Sequence, residues 1–131
     1  MVALKLVPRE YQKEIASNVL KRGNSLVVLP TGLGKTLIAF IIMEEKIKEG
    51  KVLFLAPTKP LVNQHLNEIK KNFEDFKSIA ITGEINKKDR EKMWEEYDII
   101  VATPQTVERD LKFIKKNNFS LVILDEVHRT S

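Results

Sequence analysis

The stretch Leu26-Val27-Val28-Leu29-Pro30-Thr31-Gly32-Leu33-Gly34-Lys35-Thr36 decides how this chain is read. Its first four residues are an apolar run of strand length. The segment that follows it, Leu37 to Ile47, is apolar-rich and of helix length. A strand that enters a glycine turn and leaves as a helix is the setting in which Gly-Lys-Thr holds phosphate. Gly32 and Gly34 allow the tight bend and let backbone N–H groups turn toward an anion. The helix starting near Lys35 adds its unpaired N–H groups and the positive end of its dipole. The Lys35 ammonium reaches a β- or γ-phosphate. The Thr36 hydroxyl is placed for Mg²⁺, a hard cation that keeps much of its water. The general pattern G-x-x-x-x-G-K-[ST] has glycine where this chain has Leu29.

The 131 residues make about one small domain, and 43% hydrophobic content supports a real core. A net charge of +4 is compatible with a nucleic-acid partner without requiring one, because acids are interspersed with the bases. The absence of cysteine excludes disulfides and thiolate metal sites. No apolar run approaches a membrane span. The N-terminal Met1 to Pro8 has no signal-peptide pattern, so a cytoplasmic protein without a membrane partner is expected. Abundant lysine and glutamate without cysteine lean toward a thermophile, while the asparagines lean away.

Outward from the loop, the chain alternates two periodicities. Pro8 to about Arg22 reads as a helix with a stripe at Tyr11, Ile15, Val19 and Leu20, closed by Gly23. Val52 to Ala56 is a continuous apolar strand. Pro57 and Pro60 mark a loop, and Val62, Leu66, Ile69, Phe73 and Phe76 then recur at helical spacing. Ser78 to Thr82 is a short strand ending at Gly83, and Asn86 caps a polar helix carrying Met93, Trp94 and Tyr97. Ile99 to Ala102 is a fourth strand, Val107, Leu111 and Ile114 mark a helix, and Leu121 to Leu124 is a fifth strand. Five apolar strands alternating with helices predict an α/β domain with a parallel sheet. Ligands of such sheets gather beyond the C-terminal strand ends. Every polar cluster of interest lies there: Pro30–Thr36, Ala56–Lys59, Thr82-Gly83, Thr103–Gln105 and Asp125–His128.

Asp125 and Glu126 follow a fully apolar strand. Two acids there can simply cap a turn. With a Gly-Lys-Thr loop at the end of another strand, Asp125 would instead hold Mg²⁺ through its water shell, opposite Thr36. Glu126 would polarise the water that attacks a γ-phosphate. His65, mid-helix among Asn63, Gln64 and Asn67, reads as structural or solvated. Two distant histidines give no zinc pattern. Trp94 and Tyr97 read as packing rather than base stacking. Lys87-Lys88 and Lys115-Lys116 read as exposed charge, with contact to a phosphate backbone open to either pair.

Pro30-Thr31-Gly32-x-Gly34-Lys35-Thr36 with Asp125-Glu126-x-His128 resembles the first RecA-like, P-loop NTPase domain of superfamily 2 DExH helicases. Ala56-Pro57-Thr58 resembles motif Ia of that family, Thr82-Gly83 its TG element, and Thr103-Pro104-Gln105 its motif Ib. Arg9-x-Tyr11-Gln12 resembles the adenine-reading segment. Leu29–Thr36, Ala-Pro-Thr-Lys-Pro-Leu-Val-x-Gln and Ile-Thr-Gly-Glu are most similar to the archaeal Hef and FANCM-type fork-DNA helicases; the RNA-sensing RIG-I and Dicer helicases share the general lineage. The resemblance implies ATP and Mg²⁺ as cofactors. Pro30, Thr31, Gly32, Leu33, Gly34, Lys35 and Thr36 would hold the phosphates, with Arg9 and Gln12 at the adenine. Thr36 and Asp125 would hold the metal, and Lys35, Asp125, Glu126 and His128 would be catalytic, His128 coupling the two sites. Pro57, Thr58, Lys59, Thr82, Gly83, Thr103 and Pro104 would line a nucleic-acid track, through phosphate contacts that carry no sequence information. DNA, branched or forked, is the expected partner ahead of RNA.

The resemblance also implies an arrangement that residues 1–131 do not complete. The family domain continues with a motif III strand lying between the loop strand and the DExH strand. A second RecA-like domain then supplies arginine fingers in cis. Residues 1–131 are therefore expected to be the first part of the ATP-binding domain, with a gap between two strands and only marginal stability. A non-catalytic nucleotide- or nucleic-acid-binding module is the alternative from another class. A metabolic P-loop kinase leaves the ordered Ia, TG and Ib clusters unexplained.

Overall fold

Three of the apolar runs are buried from end to end, and they form the middle of the sheet. The computed structural model describes residues 8–20, 23–29 and 35–125. Its strands are β1 (Ser25–Leu29), β2 (Lys51–Leu55), β3 (Ser78–Ile81), β4 (Ile99–Ala102) and β5 (Phe119–Asp125). Its helices are α1 (Pro8–Val19), α2 (Lys35–Lys46), α3 (Lys59–Asn72), α4 (Lys87–Glu96), α5 (Pro104–Arg109) and α6 (Leu111–Ile114). The strands run parallel in the order β1-β5-β2-β4-β3. Central β2, β4 and β5 are covered on both faces, so they need apolar residues at every position rather than at alternate ones. Edge strands β1 and β3 are only half-buried.

Alternation still sorts the side chains, because successive residues of a strand point to opposite faces. Leu53 and Leu55 enter a core with α1, Trp94 and Ile114, whereas Val52 and Phe54 enter one with Met43 of α2 and Ile69 of α3. The face used by each helix follows from the strand order. The chain steps outward from β1 to β2 to β3 through α2 and α3, then returns through α4, α5 and α6. Right-handed crossovers place the outward and return helices on opposite faces. Because every pairing is parallel, all five C-terminal strand ends lie on one edge of the sheet.

Three expectations are corrected. The gap between the loop strand and the DExH strand is absent: β1 pairs directly with β5, from Ser25 opposite Leu121 to Leu29 opposite Asp125. Backbone groups left unpaired along two apolar strands are costly, and direct pairing satisfies them. The helix through Val107, Leu111 and Ile114 is two helices, broken at Asp110. Finally, α3 ends at Asn72 and Phe76 lies beyond it in a turn, with its N–H donating to the Phe73 carbonyl at 3.1 Å. Phe73 and Phe76 nevertheless pack into the α2–α3 core, so the spacing marked buried positions correctly. Gly23 has φ +88°, a backbone that disfavours side chains and suits glycine closing the first helix.

The break at Asp110 has a cause. Its carboxylate is fully buried and accepts from Arg90 Nε at 2.8 Å, Arg90 Nη2 at 3.0 Å and Trp94 Nε1 at 3.0 Å. The bond to Asp110 raises the Arg90 pKa, outweighing the burial that would lower it. Arg90 Nη1 also donates to the Ile85 carbonyl at 2.6 Å, which ties the loop after β3 to the α5–α6 junction. Removing one partner of such a buried pair strands the other's charge. Asp110→Ala should therefore lower the unfolding free energy measured in urea by about 3–5 kcal/mol. The double change Arg90→Met with Asp110→Leu should cost less than Asp110→Ala alone.

Candidate functional site

The edge formed by the strand ends carries a cleft of about 440 Å³ beyond β2, β3 and β4, lined by Pro57, Thr58, Lys59, Thr82, Gly83, Glu84, Thr103, Thr106 and Arg109. The structure thus brings together all the expected nucleic-acid residues except Pro104, which is buried as part of the first turn of α5. Two of the cleft threonines are helix caps. Thr58 has extended φ and ψ of −138° and 158°, and its Oγ1 accepts from the Leu61 N–H at 3.4 Å. Thr103 does the same for the Thr106 N–H at 3.4 Å. A threonine followed closely by proline is the local code for both starts, since proline tolerates the first helical turn.

Glu84, Thr106 and Arg109 are cleft residues that the sequence reading missed. Arg109 ends α5, five residues after Pro104, and nothing in its surroundings in sequence shows where its long side chain reaches. The guanidinium lies against Gly83, where an added Cβ would come within 2.9 Å of Nη1. A side chain at position 83 would displace that guanidinium, which a flexible arginine can accommodate. Lys59 is ion-paired with Glu84, and both side chains are exposed. An exposed pair of this kind is worth little and screens easily. The cleft therefore presents threonine hydroxyls, the start of α3 and two cations against one acid, a lining suited to phosphate oxygens.

The second part of the site lies where β1 and β5 end together. Leu29, from which residues 30–34 depart, is paired with Asp125, and α2 resumes at Lys35. Pro30, Thr31, Gly32, Leu33, Gly34, Glu126, Val127 and His128 lie outside the described residues, as do the side chains of Arg9, Lys35 and Thr36. Gln12 is half-buried on α1. Its neighbour Tyr11 donates to Glu108 Oε1 of α5 at 2.6 Å, and burial, followed by that bond, pushes the phenol up to about 12. Tyr11 thus remains a donor well into the alkaline range, joining the helix that carries Gln12 to the helix that carries Arg109.

Of the two readings of His65, structural or solvated, the structure takes the first. The His65 Nε2 donates to Asp125 Oδ2 at 2.6 Å, and its ring lies 4.5 Å from the Phe54 ring, tilted by 33°. The spacing of α3 places His65 on the sheet side, but nothing along the chain tells which strand end it meets. Among the described residues no group of three or more His, Asp or Glu could enclose a metal. The position of Asp125 fits the looser demand of Mg²⁺, which takes one or two protein oxygens and keeps water.

The sequence profile of DEAD/DEAH box helicases matches residues 9–131. The chain belongs to this family. It is 45% identical, over 96% of its length and 17% of the relative's, to a Methanocaldococcus jannaschii protein provisionally named an ATP-dependent RNA helicase. It is 36% identical, over 92% of its length and 9% of the relative's, to the DEAD-box ATP-dependent DNA helicase Fancm of Drosophila melanogaster. The crystal structure of the Pyrococcus furiosus Hef helicase domain superposes with a TM-score of 0.61 at 37% identity, covering 92% of this chain and 33% of that one. The chain thus spans well under a fifth of the two relatives' length. The Hef likeness places the parallel five-stranded sheet in the RecA-like helicase fold. No helix of the described residues is long and apolar enough to cross a membrane.

In this helicase domain the two threonine caps set where the cleft helices begin. Thr58→Val and Thr103→Val should each lower stability in urea unfolding by about 1 kcal/mol, and serine at either position should restore most of it.

Proposed function

We propose that this chain is the ATP-binding part of an ATP-dependent superfamily 2 DNA helicase or translocase that acts on branched or fork DNA. One observation carries the reading: a cationic, threonine-lined cleft and the Leu29–Asp125 pair lie along the same edge of one sheet. Nucleotide chemistry and strand binding can then report to each other through elements they share. Similarity to Fancm, named a DNA helicase, supports DNA ahead of RNA, and similarity to the Hef helicase domain of Pyrococcus furiosus supports an archaeal setting. The name of the Methanocaldococcus relative makes RNA the alternative to test.

In this proposal Gly32, Gly34 and the start of α2 surround the phosphates with N–H groups, and Lys35 reaches the β- and γ-oxygens. Thr36 and Asp125 hold Mg²⁺, which when bound supplies charge neutralisation on the phosphates. Glu126 orients the attacking water, and His128 faces the nucleic-acid side. Arg9 and Gln12 read the adenine. Thr58, Lys59, Thr82, Gly83, Thr103 and Arg109 grip the strand by its phosphates. A second RecA-like domain in cis completes the site when the two close.

The test is nucleic-acid-stimulated ATP hydrolysis by the intact protein, compared across single-stranded DNA, forked DNA and RNA. Lys35→Ala and Glu126→Gln should each lower the stimulated rate by at least about a hundredfold. Lys59→Gln and Arg109→Gln should weaken oligonucleotide binding to a similar degree for all sequences. Each should reduce the slope of log affinity against log salt by about 0.7 per lost phosphate contact. Strand binding without hydrolysis would identify a binding module instead, and preferential stimulation by RNA would reverse the substrate.

A further inference from the structure

We propose that His65, on the helix that begins in the cleft, is a positioning residue for Asp125. The inference rests on the reading of Asp125 as the Mg²⁺ carboxylate. A carboxylate at a strand end can rotate about its last bond, and a ligand that must sit in a water-filled metal shell needs one rotation held. The 2.6 Å bond from Nε2 to Oδ2 holds it, and fixes the place of Oδ1 as well. Both side chains are largely shielded from water, at 12% and 13% exposure, so solvent competes poorly for that bond. The imidazole is itself fixed from behind by the Phe54 ring. Losing a partner that orients a metal-binding group typically costs about 10- to 100-fold in metal affinity.

The position of His65 along α3 gives the bond its second consequence. The helix begins at Lys59, in the cleft, behind the Thr58 cap. His65 follows six residues later, about 9 Å along the axis at the usual helical rise. One short, continuous helix thus carries a cleft cation at its start and the group holding Asp125 in its middle.

The experiment compares wild type, His65→Phe and His65→Gln in the intact protein. Phenylalanine keeps a ring against Phe54 but offers no donor, while glutamine presents an amide N–H near the place of Nε2. Affinity for a fluorescent ADP analogue is measured with and without Mg²⁺. His65→Phe should lose 10- to 100-fold of the Mg²⁺-dependent affinity, with the Mg²⁺-free affinity unchanged. His65→Gln should recover most of it. Should His65→Phe fail to give a native circular dichroism spectrum, His65→Leu takes its place. An undiminished Mg²⁺ effect in the apolar variant overturns the inference. Equal losses with and without Mg²⁺, or a glutamine variant as weak as phenylalanine, overturn it too by showing a packing role. A wild type whose ADP binding ignores Mg²⁺ overturns the underlying reading of Asp125 and the inference with it.

Discussion

Parallel pairing of all five strands is the constraint on which the rest of this molecule depends. A parallel sheet needs a crossover between every pair of consecutive strands, and the crossovers cover both faces. The faces are then spent on packing, and chemistry is pushed to the edge where the strands end. Within that edge the register fixes the details. Leu29 opposite Asp125 brings the start of the glycine loop beside a carboxylate from a strand nearly a hundred residues later. Neither residue could place the other alone. The ladder between β1 and β5 does it with backbone bonds, which are indifferent to the side chains they deliver.

The cleft is built from loops and helix starts, which a sheet edge does not hold still by itself. Two kinds of support are visible. The threonine caps fix where α3 and α5 begin, each by one hydroxyl accepting a backbone N–H. The buried Arg90–Asp110–Trp94 cluster in turn joins α4, the loop after β3 and the α5–α6 break. Asp110 is the residue next to Arg109, and Ile85 lies two residues after Gly83. The cluster therefore fixes the backbone on both sides of the contact between Gly83 and the guanidinium. A hydrophobic cluster could fill the same volume, but it could not specify the orientation of the loop carbonyl that Arg90 binds.

What was legible in the sequence follows from what repeats locally. Continuous apolar runs such as Val52–Ala56 and Leu121–Leu124 gave their strands away, because burial on both faces leaves no polar alternation to confuse them. Asn86 was legible as a cap, since its Oδ1 accepts the Asp89 N–H at 2.9 Å within one turn of chain. The cleft was legible through threonine, proline and glycine, whose backbone effects act on their neighbours. Arg109 and His65 were not. Each acts through a side chain meeting a residue far along the chain, Gly83 and Asp125, and no local pattern encodes such a meeting. The break at Asp110 was hidden for the same reason, because the periodicity of Val107, Leu111 and Ile114 passes over a residue whose partners lie on α4. The direct β1–β5 ladder differed from expectation because the expectation came from the longer family domain rather than from these strands.

Two ion pairs with similar chemistry show how burial divides structure from binding here. Arg90–Asp110 is sealed, with a bidentate geometry and the Trp94 N–H satisfying a further lone pair. Water cannot replace either partner, so the pair acts as a fixed joint. Lys59–Glu84 spans the cleft with side-chain exposures of 50% and 75%. Water and salt compete for it at every moment, and the free energy lost on opening it is small. A phosphate presented to Lys59 meets a cation already held in the cleft but bound there weakly. Glu84 holds the lysine at the cleft with little cost for its release. The pair open to exchange sits in water, and the pair closed to it is sealed in the core.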